Sequence, residues 1–367
     1  MEVTTIGIDL AKNVFALSLA DGRGAVLMRR QLRRSQVLEF MRQLKPCVVG
    51  MESGGGANYW ARAIGALGHE VRLMSPALVR PYRTGPNKHD RNDADAICEA
   101  VHRPQMRYVA VKSLAQQDLL ALHRVRAQLI KQRIAQSNQL RALLHERGVV
   151  ARLGAAGLRQ ALAQALQTEN SEVSGALGEL LLELSGWLRE SEQRIAAITR
   201  RIERAVKDDE RCQRLMEVPG VGPLSSSTLV AMVGNAREFK SGRELSAYLG
   251  LTPRQHSSGG KTVLLGISKH GDRYLRTLLI HGARSLLYRH RRGGAQPRAT
   301  WAARLCARRG PNVATVALAN HNARVLWALL SRGASYCPAP QRSFPSRPST
   351  VVERAREGKL LIDIERN

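Results

Sequence analysis

Four acidic residues are spaced so that they could act together on a phosphate. Asp9 ends an apolar run, Glu52 ends a second one, and Asp90 and Asp93 are three residues apart at the start of a predicted helix, on one face. Clustered carboxylates need a neutralising cation, and Mg²⁺ prefers oxygen ligands. Two such ions can stabilise the attacking and leaving oxygens of a phosphoryl transfer. The pattern therefore indicates a Mg²⁺ site that cuts phosphodiesters.

Each of these acids alone is a weak signal. An Asp at the end of a strand is usually a turn residue, and an Asp that begins a helix is usually a cap. Asp95, beside Asp93, is interpreted as a solvated surface residue. The prediction depends on the combination of two strand ends with an Asp-x-x-Asp helix start.

The elements expected to position the acids lie within residues 1–105. Three strand-like runs come first, followed by a helix with Ser35 as its expected N-cap, and then strands and helices alternate. This order is the one expected of an RNase H-like mixed α/β sheet. The predicted strands are Val3–Asp9, Val14–Leu19, Val26–Leu32, a run ending at Glu52, and Glu70–Met74; the helices are Ser35–Leu44, Asn58–Leu67 and Arg91–Val101.

Residues 106–210 are predicted to be a helical, coiled-coil region. A helix over 113–147 begins with a capping box of Ser113 and Gln116 and stops at Gly148, and a second helix covers about 178–206. The first helix has a basic face. Two interpretations remain open: an antiparallel pair that packs its own leucines with solvated charge, or a surface that holds nucleic acid or a second subunit.

Residues 211–332 are predicted to form a mostly helical C-terminal domain. Its turn Val218–Gly222 resembles a helix-hairpin-helix, in which Gly220 and Gly222 would let the backbone approach phosphate; a connector that touches nothing is the alternative. Further on, Ser257 and Ser258 precede two glycines. From the residues alone this segment is more often a flexible loop than a nucleophile, because no acid that could activate a serine lies next to it.

The composition favours a polyanionic partner. The 367 residues carry 57 Lys+Arg against 30 Asp+Glu, a net charge of +27, and aromatic residues make up only 4%. Phosphate contacts with counterion release are thus favoured over extensive base stacking and over a membrane partner. Five scattered cysteines without CxxC spacing, and no signal peptide, predict a cytoplasmic, nucleoid-associated protein. The Pro-, Ser- and Arg-rich residues 333–367 are expected to be disordered.

Several motifs together resemble one known family. They are Gly7-Ile8-Asp9-Leu10-Ala11-Lys12, Met51-Glu52, Lys88-His89-Asp90-Arg91-Asn92-Asp93-Ala94, Val218-Pro219-Gly220-Val221-Gly222 and Leu251-Thr252-Pro253-Arg254-Gln255-His256-Ser257-Ser258-Gly259-Gly260. From about residue 6 to 330 the chain is similar to the DEDD transposases of bacterial insertion sequences of the IS110 family, in particular its IS1111 subgroup.

The resemblance implies a RuvC-like N-terminal domain whose DEDD tetrad, Asp9, Glu52, Asp90 and Asp93, holds Mg²⁺. It also implies a catalytic serine that matches Ser258. Family members are guided by a noncoding bridge RNA that pairs with donor and target double-stranded DNA. They act as dimers and tetramers, with active sites that join the RuvC-like domain of one subunit to the serine domain of another.

Two rival functions stay open alongside the recombinase. One is a RuvC-type, structure-selective endonuclease that uses water, and the other is a catalytically inactive nucleic-acid-binding regulator. In each case basic residues would contact nucleic acid. The candidates for these contacts, besides Gly220 and Gly222, are Arg124, Arg126, Lys131, Arg133, Arg254, Lys269, Arg273 and Arg276.

Overall fold

A six-stranded sheet begins the chain in the computed structural model. The structure describes residues 2–83, 90–167, 172–173, 175–291 and 297–337. The strand order is β3-β2-β1-β4-β5-β6, in which β1, β2 and β3 are antiparallel, β1, β4 and β5 are parallel, and β6 is antiparallel to β5. The strands are β1 Thr5–Asp9, β2 Val14–Ala20, β3 Val26–Arg33, β4 Val48–Glu52, β5 Glu70–Met74 and β6 Tyr108–Val109.

Short helices cover this sheet. Phe15, Met51 and Ile64 are fully buried in the core between the sheet and α2, and α4 lies against β1 and β2. Burial of such side chains supplies most of the stabilisation, at about 25 cal/mol per Å² of apolar surface. The helices are α1 Val37–Arg42, α2 Ala57–Gly65, α3 Pro76–Val79 and α4 Asp90–Ala100, with 3₁₀ turns at Arg34–Gln36 and Arg80–Tyr82.

Gly7 lets α4 approach the central strand. A Cβ on Gly7 would lie 2.4 Å from the carbonyl oxygen of Ala94 and 2.5 Å from the amide nitrogen of Cys98. No side chain fits in that space, so the helix backbone rests directly on β1. This contact fixes the height of α4 relative to the strand that ends at Asp9.

Two long antiparallel helices follow the sheet. Helices α5 (Leu114–His145) and α7 (Gly175–Lys207) pack along their length, and α6 (Gly154–Gln167) covers one end of the pair. Ser113 and Gln116 form the predicted capping box, and Gly148 adopts a positive φ of 74° just beyond the C-terminus of α5. Both helix predictions are confirmed to within three residues, whereas α6 was not predicted.

A buried histidine joins α5 to the C-terminal domain. His123 is 1% exposed; its Nε2 lies 2.9 Å from Oγ of Ser227, and its Nδ1 lies 3.2 Å from the hydroxyl oxygen of Tyr274. Burial, together with the nearby Arg126, lowers the pKa of this imidazole to about 4. The neutral ring therefore holds together three helices.

The C-terminal domain is helical except for one exposed hairpin. Strands β7 (Pro253–Ser258) and β8 (Lys261–Ile267) pair with each other, and their side chains are exposed up to the partly buried Ile267. The domain is mostly helical as predicted, but this segment forms a β-hairpin where the residues alone favoured a flexible loop. The helices are α8 Glu210–Met216, α9 Pro223–Val233, α10 Gly242–Tyr248, α11 Arg273–Arg291, α12 Pro297–Arg309 and α13 Pro311–Arg332.

Two sequence predictions differ from the structure in detail. Ser35 is not an N-cap, because the turn begins at Arg33, whose amide donates to Oε1 of Gln36. The sheet also extends past residue 105, since Tyr108–Val109 pairs with β5. No helix in the described part of the chain is both long and apolar enough to cross a membrane. Nearly all of the predicted tail, residues 338–367, lies outside the described residues.

Candidate functional site

Asp9 and Glu52 end neighbouring parallel strands. Ile8 of β1 is paired with Met51 of β4, and the next residue of each strand is the acid. The carboxyl ends of parallel strands lie at the same edge of a sheet, so the backbone brings these two residues to one place. Both are partly buried.

Asp93 reaches the same edge from α4. Its carboxylate is 6% exposed, and Oδ1 lies 3.0 Å from Nε of Arg83. Nη2 of Arg83 lies 3.1 Å from Oε1 of Glu52. Glu52 and Asp93 are separated by 41 residues in sequence, yet they share one guanidinium. Two of the four predicted acids are therefore placed together.

Arg83 supplies the positive charge that two adjacent carboxylates require. Nε of Arg83 is buried, and although it is close to Asp93 it is not aimed to donate a directed hydrogen bond within the described residues, so that contact is an ion pair. Nη2 donates a hydrogen bond to Oε1 of Glu52. Sequence reasoning missed Arg83, because one arginine among 57 basic residues carries no pattern.

The fit to a divalent cation can be judged from Glu52, Asp93 and Arg83. Carboxylate oxygens are the donors that Mg²⁺ prefers, and the guanidinium occupies the place of a cation between them. The donor set thus suits such an ion. Asp90 begins α4, but its side chain lies outside the described residues. Among the side chains that are described, no group of three or more metal-ligating residues is assembled.

Asp95 has a structural role that the sequence did not show. Both of its carboxylate oxygens accept from Nε of Arg29 on β3, at 3.1 and 3.0 Å. The pair ties α4 to the edge of the sheet. The interpretation of Asp95 as a merely solvated residue is therefore wrong.

Ser258 is the last residue of β7, at the turn of the hairpin. Gly259 and Gly260 form a two-residue turn with φ of 55° and 77°, a conformation that glycine adopts without strain. Nε2 of Gln255 donates a 2.6 Å hydrogen bond to Oγ of Ser257. The Ser258 hydroxyl has no such bond to any described residue, so of the two adjacent serines it is the less constrained.

The predicted helix-hairpin-helix turn lies between α8 and α9. Gly220 has φ of 86°, and a Cβ there would lie 3.0 Å from the carbonyl oxygen of Gly282 on α11. Gly220 therefore has a packing role in addition to any contact with nucleic acid. Gly222 precedes α9 and has nothing within 4 Å of a Cβ position, while its carbonyl oxygen accepts from the amides of Ser225 and Ser226.

The basic residues predicted to contact nucleic acid differ in how far they are buried. Arg276 is 8% exposed and donates to the carbonyl oxygens of Leu249 and His270, so it holds the chain together and is not free to contact phosphate, contrary to its prediction. Arg126 is partly buried and donates to Thr199 of α7. Arg133 is also partly buried. The exposed candidates are Arg124, Lys131, Arg254, Lys269 and Arg273.

Comparison with known proteins decides the family. A profile described as "Transposase IS116/IS110/IS902 family" matches residues 212–298, and a transposase profile of the IS110 DEDD type matches residues 6–147. The chain is 50% identical to a probable family 20 transposase of Pseudomonas aeruginosa, over 92% of this chain and all of the relative. The chain belongs to the IS110 family of transposases.

Two further relatives are transposases of named insertion sequences. It is 42% identical to the transposase for insertion sequence element IS1111A of Coxiella burnetii, over 91% of this chain and 92% of the relative. It is 40% identical to the transposase for IS1328 of Yersinia enterocolitica, over 90% and 98%. As an IS110-family transposase, the chain acts on DNA and is an enzyme of strand cleavage and transfer. The predicted family is confirmed.

Proposed function

We propose that this transposase cleaves and rejoins DNA through a serine nucleophile, Ser258, assisted by Mg²⁺ bound at Asp9, Glu52, Asp90 and Asp93. The observation that carries the proposal is the convergence of Glu52 and Asp93 on Arg83 beside the strand that ends at Asp9. The sheet order, three antiparallel strands followed by parallel ones, supports an RNase H-like domain as the scaffold.

The protein residues have separable roles in this chemistry. Oγ of Ser258 loses its proton to water and bonds to phosphorus, while the bond to the leaving deoxyribose oxygen breaks and that oxygen takes up a proton from water. Bound Mg²⁺ would neutralise the phosphate and favour the serine alkoxide. The resulting phosphoserine keeps an ester bond, so strands can be exchanged and resealed without ATP. Asp9, Glu52, Asp90 and Asp93 hold the positive charge in place, and the hairpin delivers the hydroxyl.

We further propose that a noncoding bridge RNA selects the donor and target DNA and that the active form is a dimer or tetramer. Family membership supports both points, and the net charge of +27 suits a complex with two polyanions. The exposed hairpin supports an oligomeric active form, because its strands pack chiefly against each other and leave Ser258 accessible to another subunit.

Trapping of a covalent intermediate tests the serine mechanism. Wild-type protein with its DNA substrate and Mg²⁺ should give a protein–DNA adduct that survives denaturation, and Ser258→Ala should abolish it. Ser257→Ala is the matched control and should retain the adduct. Normal cutting by Ser258→Ala would overturn the proposal in favour of a nuclease that uses water. Undiminished wild-type function in Asp9→Asn and Asp90→Asn would instead indicate a binding protein.

A further inference from the structure

A cleft at the edge of the sheet where the acids lie is lined by basic and aromatic side chains. It has a volume of about 690 Å³, within the range of small-ligand sites. Residues from the start of β2, the end of β3 and the first turn of α2 line it; those used here are Asn13, Val14, Arg33, Arg34, Tyr59 and Trp60. None of the lining residues is acidic.

The cleft lies at the edge of the sheet where the acids are. Strand β1 is antiparallel to β2, with Asp9 opposite Ala16, so β2 begins where β1 ends. Val14 is in turn paired with Arg33 at the end of β3. On the other side, Glu52 is joined to α2 by only four residues, Ser53–Gly56. The acids lie on the face of the sheet that α4 covers, and α2 covers the other face, so a DNA strand that contacts both the acids and the cleft would cross this edge of the sheet.

Two exposed arginines make the cleft attractive to phosphate. Arg33 and Arg34 are exposed, and neither forms an ion pair with a carboxylate in the described part of the chain. The guanidinium of Arg34 lies 5.1 Å from the ring centroid of Trp60 and 5.8 Å from that of Phe15. These cation–π contacts hold the positive charge in place without neutralising it.

Tyr59 offers an aromatic surface next to these cations. Its side chain is 51% exposed, and its ring meets Trp60 edge-on, with centroids 5.4 Å apart and an interplanar angle of 85°. This perpendicular contact leaves at least one face of the Tyr59 ring uncovered by Trp60. The indole N–H of Trp60 is buried and has no hydrogen-bond acceptor among the described residues.

We infer that this cleft binds one unpaired nucleotide of the DNA strand beside the cleavage site. The base stacks on Tyr59, and the adjoining phosphate pairs with Arg33 and Arg34. Stacking on one aromatic residue contributes about 1–3 kcal/mol per base and requires no particular sequence. The inference rests on the proposed function, because it assigns a place to a strand that has been opened for cutting.

Binding and cross-linking together test the inference. Full-length protein in EDTA, which prevents cleavage, is mixed with single-stranded DNA containing 5-iododeoxyuridine, irradiated and mapped by mass spectrometry. The expected cross-link is at Tyr59. Tyr59→Ala should weaken binding about 5- to 100-fold, as follows from loss of one stacked base, whereas Tyr59→Phe should bind like wild type.

Position controls make the result specific. Tyr288→Ala removes a similarly exposed ring, 57% accessible, on α11 and should leave both readouts unchanged. Circular dichroism of Tyr59→Ala should show an unaltered fold. Equal affinity of Tyr59→Ala and wild type would overturn the inference, and so would a Tyr59 cross-link to RNA of the same sequence but not to DNA.

The two proposals fail differently. If wild type forms the Ser258 adduct but binds DNA independently of Tyr59, only the cleft is wrong. If the Tyr59 cross-link forms but no adduct does, the cleft stands and the serine chemistry is wrong.

Discussion

At the scale of single residues, Arg83 is the cation that contacts the carboxylates of the site. Its guanidinium contacts both Glu52 and Asp93, and Asp93 is nearly buried. A buried carboxylate without a cation is unfavourable, so the protein without metal depends on this arginine. A divalent cation at these carboxylates would compete with Arg83 for the same oxygens.

Arg83→Gln should therefore lower stability in the absence of metal by roughly 1–3 kcal/mol, the cost of leaving a charged group without its partner. Added Mn²⁺ should raise the melting temperature of the variant more than that of wild type, because the variant carboxylates have no competing cation. Thermal unfolding with and without Mn²⁺ measures both effects.

Arg29→Gln is the matched control for this variant. It also removes an arginine that pairs with a carboxylate of α4. Its partner, Asp95, is not one of the two carboxylates that Arg83 contacts. Mn²⁺ should raise the melting temperature of Arg29→Gln by as much as that of wild type. If Mn²⁺ raises the melting temperature of Arg83→Gln no more than that of wild type, the cation does not replace Arg83.

At the scale of elements, the close contact between α4 and β1 positions the acids. Gly7→Ala should destabilise the protein by about 1–3 kcal/mol, the usual cost of overpacking, because the new methyl would meet the backbone of Ala94 and Cys98. Gly65→Ala adds a methyl at the end of α2 that meets nothing within 4 Å, so it should be neutral or slightly stabilising. Urea unfolding measures both. Equal stability of Gly7→Ala and wild type would mean that α4 can move away from β1.

The buried imidazole of His123 should make stability depend on pH. Its pKa is about 4 in the folded chain and near 6.5 when unfolded, so the unfolded state binds the extra proton between these values. The contribution of neutral His123 to the free energy of unfolding is therefore fully present above about pH 6.5. It falls as the pH drops toward 4, by up to roughly 3 kcal/mol.

His123→Gln should remove this part of the pH dependence. Its urea-unfolding free energy should change less between pH 7 and pH 4.5 than that of wild type, because glutamine does not titrate. Parallel pH curves for the two proteins would contradict the role assigned to this imidazole.

The sequence predicted the elements whose signals are local. Strand alternation placed Glu70–Met74 to the residue, and the Ser113 capping box fixed the start of α5. The hairpin was missed because Arg254–Ser258 is polar and exposed, so it has no hydrophobic alternation. The placement of Arg276 and the sharing of Arg83 were also missed, because both depend on contacts between segments that no local pattern shows.

At the scale of the whole molecule, the positive charge should dominate DNA binding. Each phosphate contact releases counterions, so a protein with several such contacts loses affinity by roughly a thousandfold or more between 50 and 200 mM salt. The slope of log Kd against log salt, measured by fluorescence anisotropy, should be steep. A flat response would show that phosphate contacts contribute little.

Sharing of sites between subunits can be tested by mixing variants. A protein with Asp9→Asn retains Ser258, and one with Ser258→Ala retains the acids. A mixture should recover part of the cleavage activity that each variant lacks alone, since the exposed hairpin can reach another copy. No recovery at any ratio would place both halves of the site in one chain.

The two-residue turn at Gly259 and Gly260 also determines which serine is presented. Neighbouring residues of a strand point to opposite faces, so Ser257 and Ser258 cannot approach the same phosphate together. A slip of one residue in the pairing of β7 with β8 would exchange their positions. Under the proposed serine mechanism the length of this turn therefore matters to function, and a single inserted glycine would present Ser257 in place of Ser258.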